Sequence, residues 1–180
     1  IGPARLHLGS SDEHTTFEAE VAGTILALNI IRERHNPRDT IIALDNQSAI
    51  KAIYFPHNQP GQYLLMLFHQ ELTRTLAAHP NINITLQWTP GHEGIIGNEL
   101  ADEHAKKAAN GDSQLLPNVC TALTKPLPVS VAATKASMKT HTRLAIIEHT
   151  QTAPRLALTR RIDHTVPNPH LHRTYAQLPR

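Results

Sequence analysis

Ile-Ile-Ala-Leu-Asp-Asn-Gln-Ser-Ala-Ile, residues 41–50, is the stretch whose reading decides the fold. With Thr40 in front, the apolar run closing at Leu44 suits a short strand buried on both faces. It ends in Asp45. Asp45 or Asn46 then stands where a helix cap belongs, for a helix that carries Ile50 and Ile53 on one side and stops at Pro56.

On the N-terminal side, Phe17, Val21, Ile25 and Leu28 recur at helical spacing, and Ala22, Leu26 and Ile30 widen the stripe. Thr15 or Thr16 is placed to cap this helix, and Asn36-Pro37 ends it. Before it, Ala4, Leu6 and Leu8 alternate with Arg5 and His7, which predicts a half-buried strand turning at Gly9 to Asp12. On the C-terminal side, Leu64, Leu67, Phe68, Leu72 and Leu76 predict a helix over 61–78. Ile82, Ile84 and Leu86 alternate with polar residues in a strand closing at Trp88, and a glycine-containing loop, 89–97, leads to a last helix from near Asn98 to Gly111. Strands alternating with helices predict an α/β fold, with helices on the faces of a mixed sheet.

The text changes after Gly111. Pro117, Pro126 and Pro128 interrupt 112–130, which reads as a linker. Residues 131–149 suit a helix with a poor apolar stripe, and the stretch beyond is broken by Pro154, Pro167, Pro169 and Pro179. The expected organisation is a domain over 1–111, a linker over 112–130, and a basic extension over 131–180 that is partly helical or disordered. Charge divides the same way: residues 1–111 hold 8 Lys+Arg against 12 Asp+Glu, and residues 112–180 hold 9 against 3. An excess of this kind suits contact with a polyanion such as nucleic acid, or a solvated tail.

Cys120 is the single cysteine, which excludes an internal disulfide framework and fits a reducing, intracellular setting, nucleus or cytoplasm. No apolar run approaches the ~18 residues that a membrane helix needs. The chain has 13 histidines, and His141, His149, His164, His170 and His172 raise the question of zinc. A structural zinc site needs four well-spaced ligands, and Cys120 lies far from these five in the chain.

Three acids stand where a solvated acid is unexpected. Glu20 falls on the apolar stripe between Phe17 and Val21, Asp45 ends the most apolar strand, and Asp102 follows Asn98 by one turn of the last helix. Strand ends and adjoining helices converge at one edge of an α/β sheet, where ligands usually bind. Carboxylates gathered there repel unless a cation neutralises them, and hard oxygen ligands select Mg²⁺ or Mn²⁺. On spacing alone a simpler account competes: Asp45 and Asn98 as caps, Asp102 favoured by the helix dipole, and Glu20 on the surface.

Three segments together resemble the type 1 ribonuclease H family: Thr-Thr-Phe-Glu-Ala-Glu-Val-Ala-Gly-Thr-Ile-Leu-Ala-Leu at 15–28, the 41–50 segment, and Trp-Thr-Pro-Gly-His-Glu-Gly-Ile-Ile-Gly-Asn-Glu-Leu-Ala-Asp-Glu-His-Ala at 88–105. Their order matches too. The likeness covers Ala4 to Gly111 and is strongest to the ribonuclease H domain at the end of fungal non-LTR (LINE-type) retrotransposon polyproteins. The resemblance implies a ribonuclease H-like three-layer fold with a mixed sheet. It implies hydrolysis of the RNA strand of RNA–DNA hybrids by a two-metal site, with Mg²⁺ (or Mn²⁺) as cofactor. Glu20, Asp45 and Asp102 match the second, third and fourth metal-binding carboxylates. His92 matches a loop histidine assisting proton transfer or product departure. Thr16 and Gln47 match positions approaching the minor groove of the hybrid, although both also suit caps, and Asn98 falls within the matched 88–105 segment as a further substrate-binding candidate. The implied partners are an RNA–DNA hybrid or other nucleic acid, and the reverse transcriptase part of the same polyprotein.

The family opens with a strand carrying Asp-Gly-Ser, whose aspartate bridges both metals. Gly9-Ser10-Ser11-Asp12 is superficially similar, but Asp12 lies only eight residues before Glu20, too few for the two intervening strands. Ala4–Leu8 therefore matches the third strand, the first two are expected to be missing, and catalysis is expected to be impaired. A degenerate fold kept as a nucleic-acid-binding or interaction module is the alternative. Arg160 to Asp163 and Leu178 to Arg180 loosely resemble the stretch that follows ribonuclease H in such polyproteins.

Overall fold

Helix α1, Thr16–Arg32, starts because Thr15 and Glu18 close a capping box: the Thr15 hydroxyl accepts from the Glu18 N–H at 3.2 Å, and a Glu18 carboxylate oxygen accepts from the Thr15 N–H at 2.8 Å. The computed structural model describes residues 2–91, 93–154, 157 and 161. Val21, Ile25 and Leu28 form the buried face of α1, as their spacing predicts, and lie fully out of solvent. They pack on helix α3, Gln62–Ala78, whose Leu64, Leu65 and Phe68 are equally buried. Each such side chain contributes about 1.5–3 kcal/mol relative to an exposed one, so this helix pair dominates the core. Gly61 caps α3 in the left-handed region, φ 79°, and a Cβ there would meet Glu18 Cγ at 2.9 Å, so both conformation and space demand glycine.

Strand β1, Thr40–Leu44, runs parallel to β2, Ile84–Trp88, in a register that pairs Thr40 with Ile84 and Leu44 with Trp88. Helix α2, Gln47–Tyr54, follows β1 after two residues and ends just before Pro56. Helix α4, Ile96–Ala109, follows the 89–95 loop and buries none of its residues. The α/β class of the expected fold is present, with differences of detail. The sheet among the described residues is this parallel pair rather than a mixed sheet. β1 is not buried on both faces: Ile42 and Leu44 turn into the core, while Ile41 is 60% exposed, because the helical layer covers one face only. Ala4–Leu8 does not form a strand. Arg5 makes a lone antiparallel bridge to Gln114, 2.8 Å in both directions, since these residues have no longer strand to pair with.

The Pro-containing stretch 112–130, read as a linker, packs onto the core. Cys120 and Leu123 join the apolar cluster, the latter in a short 3-10 turn, Thr121–Thr124. The Asn118 carbonyl accepts from Arg32 Nη2 at 2.6 Å and from Asn29 Nδ2 at 3.3 Å, and the Ser130 N–H donates to the Glu13 carbonyl at 2.7 Å. Two compact units result, Ile1–Thr134 and Lys135–Arg180. The boundary falls inside the fifth helix, α5, Val131–Thr152, which runs slightly longer than its sequence pattern suggested and buries only Ala133. The Arg160–Asp163 and Leu178–Arg180 resemblances and His164, His170 and His172 lie outside the described residues, except Arg161. No helix among the described residues is long and apolar enough to cross a membrane.

Candidate carboxylate site

Asp45 leaves the C-terminal end of β1, and its carboxylate takes no part in capping α2. Asn46 does that work: its Oδ1 accepts from the Ser48 and Ala49 N–H groups at 3.0 and 3.1 Å and from the Ser48 hydroxyl at 2.6 Å. The Asp45 backbone is fixed from the neighbouring strand end, where Trp88 Nε1 donates to the Asp45 carbonyl at 3.0 Å and the Thr89 N–H donates to the Leu44 carbonyl at 2.8 Å. The following loop then passes close to the acid. A Cβ on Gly91 would sit 3.0 Å from Asp45 Oδ2, so glycine lets the backbone approach where any side chain would crowd the carboxylate.

Glu20 is half-buried on α1, one turn after exposed Thr16. Burial first, then the Asp45 and Asp102 carboxylates, raise its pKa above the ordinary glutamate value. Asp102 lies in the second turn of α4, with Lys106 Nζ 3.5 Å from its Oδ2. That lysine is three-quarters exposed, and an i,i+4 pair in solvent is worth only about 0.3–0.5 kcal/mol. A helix, a strand end and a second helix thus place the Glu20 carboxylate within electrostatic reach of both Asp45 and Asp102.

The simpler account of these acids meets specific difficulties. Asn98 is not a cap: it is the third residue of α4, its N–H donates to the Ile95 carbonyl at 2.9 Å, and Ile95 occupies the cap position without a side-chain bond. Thr16 and Gln47 are not caps either, since Thr15 and Asn46 hold those positions, leaving both as exposed first residues of their helices. His92 lies outside the described residues. Gly91 and Trp88, which position Asp45, were not singled out from the sequence; the turn-forming Thr-Pro-Gly directly after a strand was the available signal.

Three carboxylates suit a hard divalent cation in kind, and a cation would offset the burial and the neighbouring carboxylates that make the ionised form of Glu20 less favourable. They do not, however, come together as a ligand group: among the described residues no three His, Cys, Asp or Glu side chains stand close enough to hold a metal ion. The large concavities lie elsewhere. One of about 540 Å³ runs between α1, residues 3–11 and α4 over Ala19, Gly23, Leu26, Ala101 and Ala105, and its walls are mostly apolar. Glu20, Asp45 and Asp102 do not line it. Comparisons with protein-family models, curated proteins and solved structures find no match to the chain.

Proposed function

We propose that the chain is a nucleic-acid domain of the ribonuclease H kind, with a divalent-metal site on Glu20, Asp45 and Asp102 directed at the RNA strand of an RNA–DNA hybrid. The observation that carries this reading is the coupling of the Glu20 carboxylate to both aspartates across three separate elements. Burial first, and then the two neighbouring carboxylates, make the ionised Glu20 less favourable, a tension that a bound cation would relieve. Mg²⁺ or Mn²⁺ bound there would activate water and stabilise the leaving oxygen in phosphodiester hydrolysis. The chain's own part is positional. Trp88 and Gly91 set Asp45 at the strand end, α1 holds Glu20 in a half-buried place where its pKa is raised, and Thr16, Gln47 and Asn98 lie in the first turns of three helices that also carry or adjoin these acids, where a hybrid's sugars and phosphates are to be met. His92 takes the proton-transfer or product-departure role by resemblance.

By the resemblance, residues 1–180 supply three of the family's four acids, and this length of chain tested alone is expected to turn over slowly. A second reading, a degenerate fold that binds nucleic acid or the reverse transcriptase of the same polyprotein without cleaving, is favoured by the lack of a closed ligand group among the described residues. Thermal unfolding with millimolar Mg²⁺ or Mn²⁺, paired with hybrid binding and cleavage, separates the possibilities. The metal should raise the melting temperature of the native chain but not of Asp45→Asn, as mass action on a native site requires. Salt-sensitive hybrid binding without cleavage would select the second reading; a chain indifferent to both metal and hybrid would remove both. Robust metal-dependent cleavage lost in Asp45→Asn would support the site and refute the expected impairment.

A further inference from the structure

We infer that the face of α5 carrying Lys135, Lys139 and Arg143 is a docking surface for the phosphate backbone of nucleic acid. The three residues follow at i, i+4 and i+8, so they rise about 6 Å and drift about 40° around the axis at each step, about 80° in all. All three are exposed, and among the described residues none takes part in an ion pair. Like charges at i,i+4 destabilise a helix, and nothing on α5 offsets them. Its single acid, Glu148, lies nine residues beyond Lys139, about 180° around the helix. A helix that is exposed along its length, with only Ala133 buried, and that lacks offsetting ion pairs gains most from a partner that neutralises the row. A polyanionic backbone supplies that by charge complementarity, releasing its counterions.

The pattern favours nucleic acid over a lipid surface. A membrane-surface helix needs an apolar side opposite its basic one. Here the exposed apolar residues are dispersed: Ile146 falls on the basic face itself, Met138 beside it, and Leu144 on the far side. The inference goes beyond the carboxylate site and needs no metal.

The test is fluorescence anisotropy of the full chain with a labelled RNA–DNA hybrid, in EDTA, across a salt series. Each phosphate neutralised adds about one to the slope of log affinity against log salt. The triple variant Lys135→Gln, Lys139→Gln, Arg143→Gln, which keeps good helix formers, should therefore show a slope shallower by about 2 to 3. A fourfold rise in salt should then weaken the native chain roughly 15- to 60-fold more than the variant. Circular dichroism checks that α5 survives; if it does not, the single variant Lys139→Gln should still lower the slope by about one. An unchanged slope and affinity would overturn the proposal, as would loss of binding to phosphatidylserine vesicles with hybrid binding intact. Failure of the carboxylate reading would show instead in the metal-dependent melting, which plays no part in these EDTA measurements.

Discussion

Replacing Arg32 with alanine should cost the protein far more than replacing Arg74, although both pair with the same carboxylate. Glu71 is 1% exposed on α3; Arg32, from the end of α1, meets its Oε2, and Arg74 meets its Oε1 at 2.6 Å. Arg32 is itself only 17% exposed, whereas Arg74 is 62% exposed. Removing one partner of a buried pair typically costs about 3–5 kcal/mol, because the remaining charge stays buried. Arg74 still reaches Glu71, which pulls the figure down, but the bond from Arg32 to the Asn118 carbonyl is lost as well, so the expected cost is about 3 kcal/mol. Arg74→Ala removes a solvent-screened contact worth about 0.2–1 kcal/mol. Urea unfolding followed by circular dichroism would measure both. In melting temperature the contrast should be about 10 °C against about 2 °C for a unit of this size. Equal losses, or an Arg32→Ala loss below about 1 kcal/mol, would refute the claim that burial sets the value of this pair.

Glu20 binds its proton more tightly folded than unfolded, so stability falls as pH rises through the window above the ordinary value near 4.5, and the ionised group costs stability beyond it. Glu20→Gln should therefore raise the melting temperature at pH 7 in EDTA, with a gain that shrinks towards pH 4.5; a pH-independent effect would contradict the coupling. Asn46→Ala should destabilise by about 1 kcal/mol in denaturant unfolding through loss of the α2 cap, a loss that serine restores in large part. The Tyr63 hydroxyl is buried without a partner among the described residues, and its pKa is pushed up to about 12 by burial and then by the Glu18 carboxylate. Tyr63→Phe should leave stability at pH 7 within about 0.5 kcal/mol of native and abolish the share of alkaline destabilisation expected between about 10 and 12, where the unfolded phenol ionises first.

Helical and strand periodicity made much of the architecture legible. Phe17 to Leu28, Leu64 to Leu76 and Ile84 to Trp88 each carry a single dominant spacing, and local spacing is enough to place an element. What it does not carry is pairing. Ala4 to Leu8 alternates as a strand should, yet it makes a single backbone bridge, to Gln114, and a strand exists only where a neighbour supplies a run of hydrogen bonds. The prolines of 112–130 truthfully exclude regular structure but say nothing about whether an irregular segment is packed, and Cys120 and Leu123 decide that through contacts distant in sequence. The candidate site divides similarly. Glu20, Asp45 and Asp102 were conspicuous as acids among apolar neighbours, whereas the choice of Asn46 over Asp45 as the α2 cap, and the approach of Gly91, depend on backbone geometry that residue types alone do not display.

Cys120 is the only cysteine in the chain, 6% exposed where the 112–130 segment, held by Arg32 and Asn29 through the Asn118 carbonyl, packs it into the core. A thiol so shielded reacts only when that segment lifts. Its alkylation rate is thus a built-in clock for that detachment, legible without any label, and should run faster when Arg32 is removed than when Arg74 is.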